Sequence, residues 1–214
     1  MKIRVSIIAA FFMVLAVTCS GEETKVIKLP PPQTEGGKPL MQALKDRRSD
    51  RYFSGKELPA QILSDLLWAA CGINRPDSGR RTAPTAKNMQ EIDVYAAKVD
   101  GLYLYDAAAN SLVMTLPEDI RKATGGQPFV GTAPVELIFV ADMDRMAGMP
   151  ADAADFYAAT DTGFVSQNVY LYCASAGLAT VVRGWVDKPA LTKAMKLRPS
   201  QKVILAQTVG YPGK

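Results

Sequence analysis

Histidine is absent from all 214 residues. That removes the commonest metal ligand and the commonest general base, and with them any histidine-based triad. Cysteine is scarce. Cys19, Cys71 and Cys173 lie far apart and form no CxxC pair, which argues against a structural zinc site. Neither GxGxxG nor GxxxxGK followed by Ser or Thr occurs, so the common phosphate-cradling loops are missing. Net charge is small as well. Lysine and arginine number 25 against 21 acidic residues, and without Lys2 and Arg4 the excess is only two. Such balance excludes a general nucleic-acid binder. Chemistry here must run without histidine, and a bound organic cofactor that carries the reaction itself fits that constraint.

The longest apolar run opens the chain. Lys2 and Arg4 precede Val5–Val17, where Ser6 is the only polar residue. The run is shorter than the roughly 20 residues of a membrane span and reads as a secretory signal. It ends in "LAVTC", which resembles a bacterial lipoprotein processing site with Cys19 as the lipidated residue. Ala16 and Thr18 depart from the usual leucine and small residue. "SGEE" follows and resembles an acidic export tag. The expected boundaries are signal and lipobox over 1–19, an extended Pro/Gly-rich arm over 20–37, and one domain over 38–214. The alternative is simple cleavage nearby and a soluble periplasmic product.

The charge that is present is unevenly placed. "DRRSDRYF", Asp46 to Phe53, holds Arg47, Arg48 and Arg51 within five positions. Two readings stand: a basic helix end exposed to water, or a site for a small anion. Around it the pattern is α+β. Helices are expected over "LMQALKDRR", with Leu40, Met41 and Leu44 on one face, and over about Pro59–Ala70, stopped by Gly72. "EIDVYAAKVDGLYLYDAAANSLVMTL" predicts three antiparallel strands with Asp100-Gly101 at the first turn, then a short helix near Pro117–Thr124. "APVELIFVAD" predicts a buried strand. Residues 151–176 predict helix in two pieces around "ATDTG", with Asp161 as an N-cap and Gly177 just past the end. "ATVVRGWV" and "KVILAQTVG" predict strands around the short helix "KPALTKAM". The expected architecture is a mostly antiparallel central sheet flanked by helices.

Four motifs, in order and covering nearly all of the chain from Ile27, resemble the nitroreductase-family flavoproteins. They are "IKLPPP" leading into "RRSDR", "RTAPTAKNMQEIDVY", "DTGFVSQNVYLYCASAGLAT" and "VGYP". The subgroup most resembled holds the dehydrogenases that oxidise azoline rings in peptide natural products. The resemblance implies FMN as cofactor and a domain-wrapped homodimer with FMN at the subunit interface. It puts Arg47 and Arg48 on the phosphate, Ser49 on phosphate or ribityl oxygens, and Arg51 near the pyrimidine edge. It lays Pro84, Thr85 and Ala86 against the flavin and lets Asn88 and Gln90 reach its amide-like edge. Lys87 stands where the closer relatives have glycine. Backbone groups of Arg183 and Gly184 map near flavin N5 and O4, though many relatives have an acidic residue at the position of Arg183. For Pro84–Asn88 the plain alternative is an ordinary turn, and for Gly184 a strand bend.

Gln167 is a further candidate for the cofactor, with a surface amide as its alternative. Lys214 is one for the phosphate, against a frayed terminus. Cys71 and Cys173 read most simply as buried thiols, with a disulfide after export as the other option. Tyr157, Tyr170 and Tyr172 read as core or dimer interface. The implied function is FMN-dependent oxidoreduction of a small organic substrate, with the lipid at Cys19 as the only membrane contact and no nucleic acid. The alternatives are an exported flavin- or ligand-binding lipoprotein without turnover, and an azoline-type oxidase.

Overall fold

The computed structural model describes residues 24–213; the leader with Cys19, and Lys214, lie outside the described residues. The proline-rich arm contributes β1 (Val26–Lys28), and its Leu29 is buried. Its carbonyls find donors on neighbouring elements. Pro30 O accepts from Ser64 Oγ at 2.6 Å and from Asn110 Nδ2 at 2.8 Å. The Gln33 N–H donates to Asp65 at 2.8 Å. Residues 26–33 are thus tied into the domain that follows.

The helix α1 (Leu40–Asp46) starts after Pro39 and buries only Ala43. Leu40, Met41 and Leu44 are exposed, so the apolar face expected from the sequence is uncovered in a single chain. The next helix, α2 (Ala60–Cys71), buries Leu63, Leu66, Leu67 and Ala70 and ends at Gly72, where a Cβ would collide with Trp68. A two-stranded ribbon, β2 (Ile73–Arg75) and β3 (Arg80–Arg81), follows.

The expected meander is present as β4 (Ile92–Lys98), β5 (Gly101–Asp106) and β6 (Ser111–Leu116). Lys98 pairs with Gly101, so the first turn is Val99-Asp100, one residue earlier than the expected Asp100-Gly101. The apolar run is β7 (Val135–Asp142), buried at every position. It alternates between two cores: Leu137, Phe139 and Ala141 face one, Ile138 and Val140 the other. After α3 (Ala151–Ala176) come β8 (Ala179–Arg183), α4 (Lys188–Ala194) and β9 (Gln201–Gly210). The seven-stranded sheet runs β1-β6-β5-β4-β7-β9-β8, every neighbour antiparallel. The α+β expectation holds, with α2 and α3 over the larger core and α4 beside the smaller.

Two further local expectations fail. Residues 151–176 are one continuous helix. Ala154, Ala158, Thr162, Val165, Val169 and Cys173 form a buried stripe at helical spacing, and that packing outweighs the roughly 1 kcal/mol an internal Gly163 costs. Asp161 is therefore mid-helix rather than an N-cap. The short helix near Pro117–Thr124 is a 3-10 turn over Arg121–Thr124. Gly177 does end α3 in the left-handed region, at φ 70°.

Candidate active site

Arg47 is the residue just past the end of α1, and its N–H still bonds Ala43 O at 2.9 Å. From there the chain turns extended and docks along the sheet edge. Asp50 N–H donates to Thr180 O at 2.9 Å, and Phe53 bridges to Pro212. Arg47 and Arg48 thereby line a cavity of about 460 Å³ with Lys38, Lys45, Asp46 and Tyr170. Tyr170, from α3, orders this corner. The Arg47 guanidinium lies 5.3 Å from its ring centroid. Its hydroxyl is 2.7 Å from Ser49 Oγ and accepts from Val182 N–H at 3.0 Å.

Positive charge dominates the cavity. Lys38 pairs with Asp46 at 2.8 Å, and its hydrogen bond holds that carboxyl below the ordinary range. Arg48 is 3.5 Å from Asp50. Among the described residues Arg47 and Lys45 make no ion pair. The arrangement suits a small anion, and arginine can bond two of its oxygens at once. The reading of this cluster as a plain solvated helix end misses the cavity that it lines.

The remaining sequence candidates are not brought into that cavity. Arg51 lines a second one, of about 530 Å³, with Tyr52, Phe53, Gln127, Pro128, Phe129 and Thr132. Asn88 and Gln90 line a third, of about 340 Å³, with Arg81, Met89 and Arg145. Pro84, Thr85 and Ala86 lie in the same loop as Asn88 and Gln90. Lys87, Asn88 and Gln90 all have left-handed φ, at 52°, 57° and 50°. For such residues each costs roughly 1–3 kcal/mol, so neighbours must enforce the shape. They do: Gln90 N–H bonds Thr85 Oγ1 at 3.0 Å, Arg81 Nε bonds Gln90 Oε1 at 2.9 Å, and Ala86 N–H bonds Asp161 at 2.8 Å. Lys87 adopts the left-handed backbone that a glycine would take with least strain.

Arg183 has a side-chain role that sequence reasoning did not see. Its buried guanidinium pairs with Glu136 on β7 at 2.5 Å and with Thr124 O at 2.7 Å. Thr208 Oγ1 adds a hydrogen bond to the same carboxylate at 2.8 Å. Burial nevertheless pushes Glu136 up to about 7, against the pull of Arg183. Gly184 follows, exposed, and its carbonyl accepts from Val186 N–H at 3.0 Å. A Cβ there would make only ordinary contact with Leu205, so nothing within one chain demands a glycine.

The nitroreductase family model matches residues 44–211, well over half of the chain. The chain belongs to the nitroreductase family. A Methanocaldococcus jannaschii protein named as a nitroreductase is 30% identical over 169 residues, spanning 74% of this chain and 85% of the relative. A crystal structure from Ralstonia eutropha JMP134, also named as a nitroreductase, is 44% identical, with a TM-score of 0.86 over 91% of this chain and 92% of that one. A chain of the Escherichia coli microcin synthetase complex shares the fold, with 17% identity and a TM-score of 0.69 over 96% and 85%.

Family membership carries the coarse chemistry: oxidoreduction, in a family that generally binds flavin. Three residues in or beside these clusters escaped the sequence reading. Tyr170 sits in the third motif, but nothing local distinguishes a tyrosine that bonds a serine from one in a core. Asp161 lies in that motif too, where it passes for a cap. Glu91 lies inside the second motif and is fully buried. Gln167 is exposed on α3, outside the cavities described above. Cys71 and Cys173 are buried free thiols, and burial pushes Cys71 up to about 11.

Proposed function

We propose that this chain is an FMN-dependent oxidoreductase acting on a small organic substrate as a homodimer with two flavin sites. The observation that carries this reading is the basic cavity behind α1, where Arg47, with no ion pair among the described residues, stands over the tyrosine that bonds Ser49. Arg47 and Arg48 would hold the phosphate and Ser49 the ribityl end. Arg51 would place a cation at the pyrimidine edge, and Asn88 and Gln90 would offer donors and acceptors to the amide-like edge. When bound, FMN supplies hydride and electron transfer through N5. The protein binds and orients the reactants, excludes water and leaves protonation of the product to solvent.

Two features support the dimer. The three groups of candidate residues occupy separate cavities of one chain. The apolar face of α1, with Phe156, Tyr157 and Phe164 on α3, is exposed. A second copy would cover that face and bring one subunit's Pro84–Gln90 loop to the other's basic cavity. The four ordered motifs support the azoline-dehydrogenase-like subgroup.

Residues 1–19 support export, with lipidation at Cys19 and the cell envelope or periplasm as destination. The 20–37 arm would then run from the anchor into a flavin-binding domain over 38–214, whose sheet it joins through β1. That location supports a second reading, flavin or ligand binding without turnover, because NAD(P)H is not normally available outside the cytoplasm. The test is the visible spectrum of the purified protein and identification of the released chromophore. A yellow protein releasing FMN is expected. A colourless protein that takes up no FMN on titration overturns the reading. Steady-state turnover with any donor–acceptor pair separates the enzyme from the binding protein.

A further inference from the structure

Glu91 is fully buried, and neither of its carboxyl oxygens has a hydrogen-bond partner among the described residues. An ionised carboxylate in that condition is strongly disfavoured, and a native orphan of this kind calls for a role. The residue stands directly after the strained Pro84–Gln90 loop. Two charged groups face it: Asp161 from α3, and Arg145 from the turn after β7. Arg145 is already occupied. It donates to Gln90 O at 2.8 Å and pairs with Asp93 at 2.8 Å and Asp142 at 3.6 Å. Asp161 is also buried, and its Oδ2 takes the Ala86 N–H at 2.8 Å. Two buried carboxyl groups therefore face each other beneath the loop, and one of them holds that loop's backbone.

We propose that Glu91 and Asp161 form a one-proton latch on the Pro84–Gln90 loop. With the proton on Glu91, Asp161 keeps the negative charge that grips Ala86 N–H. When Glu91 gives its proton to solvent, two negative charges occupy the same buried site. The carboxylates then repel, and the pair is relieved by drawing in water, which loosens the grip on Ala86. The positive φ of Lys87, Asn88 and Gln90 adds to the tendency to release. Burial, and the neighbouring Asp161 charge, place the loss of this proton at about 7, with Arg145 pulling the other way. Because the loop carries Asn88 and Gln90, flavin affinity falls as pH rises through neutrality. This last step rests on the flavin reading above; the latch itself does not.

The test is run on the full chain. Hydrogen exchange at Ala86 N–H, measured without ligand between pH 6 and 8.5, should accelerate about tenfold beyond the intrinsic base-catalysed rate. In Glu91→Gln, which mimics the neutral acid in shape and charge, that excess should vanish. Riboflavin titrations should then weaken about tenfold over the same range in the wild type and stay flat in Glu91→Gln. Riboflavin is the probe because the FMN phosphate itself titrates near pH 6. Asp161→Ala, which removes the acceptor of the Ala86 N–H, should expose Ala86 to fast exchange at every pH. If wild-type Ala86 follows only the intrinsic rate, or Glu91→Gln keeps the wild-type pH dependence, the latch is overturned. Absence of flavin binding at any pH, with the exchange result as expected, overturns the flavin reading and leaves the latch standing.

Discussion

Tyr170 bridges segments far apart in the sequence: Ser49, 121 residues earlier, and the Val182 N–H on edge strand β8. Tyr170→Phe leaves that N–H without its acceptor, which costs about 1–3 kcal/mol. For a chain of this length Tm should fall by roughly 2–10 °C in a thermal melt. Arg47→Ala tests the anion directly. A charge-assisted contact is worth about 1.5–3 kcal/mol, so FMN binding should weaken roughly ten- to a hundredfold. Riboflavin, lacking the phosphate, should lose far less. Equal losses for both ligands rule Arg47 out of the phosphate clamp. A pH effect also belongs to single residues. Glu91 holds its proton up to about 7 in the folded chain, against an ordinary 4.5. The unfolded chain loses that proton first, so the stability it contributes is fully present below 4.5 and drains away up to about 7. Between pH 5 and 7.5, Tm should drop by roughly 2–8 °C, and Glu91→Gln should shrink that slope. The lowered Asp46, Asp100 and Asp119 act in a separate window, losing their stabilisation only as pH falls below the ordinary aspartate range.

Among the elements, β8 ends in a residue that ties three others together. Arg183 joins β8 to Glu136 on β7 and to Thr124 in the turn before it, and Thr208 on β9 bonds the same carboxylate. Arg183→Ala should destabilise by about 3–5 kcal/mol in denaturant titrations, because Glu136 is left buried and unpaired. Flavin affinity of the folded fraction should change little if this position serves the ligand only through its backbone. Replacing both partners, Arg183→Met with Glu136→Leu, should recover most of the loss. None of this was legible in "VVRGW", since an arginine at a strand end looks the same whether its partner is solvent or a carboxylate 47 residues away. The helix α3 shows the same limit. Its Gly163 and "ATDTG" read locally as a break, and only the stripe buried against α2 and the sheet keeps it whole.

At the scale of the molecule, a single chain leaves Leu40, Met41 and Leu44 exposed, along with Phe156, Tyr157 and Phe164. An uncovered face of this kind marks an interaction surface. If this face seats the proposed second copy, Met41→Glu with Leu44→Glu should shift sedimentation equilibrium from dimer to monomer, and bound flavin per chain should fall with it. A double variant that stays dimeric and fully loaded would move the interface elsewhere. Trp185, exposed beside Gly184, is untouched by this change and offers a fluorescence reporter for ligand arrival.

The sequence by itself determined the α+β class, the three-strand meander, the buried strand β7, the end of α3 at Gly177 and the cationic block at Arg47–Arg51. Each of these rests on local chemistry: alternation, apolar runs, turn residues and charge density act over a few neighbouring positions. Only the tertiary structure decided the continuity of α3, the partners of Arg183, the seat of Tyr170 beside Ser49 and the meeting of Glu91 with Asp161. Those depend on groups brought together from distant parts of the chain. Burial then alters both their pairing and their protonation, and no local pattern encodes which distant group will arrive.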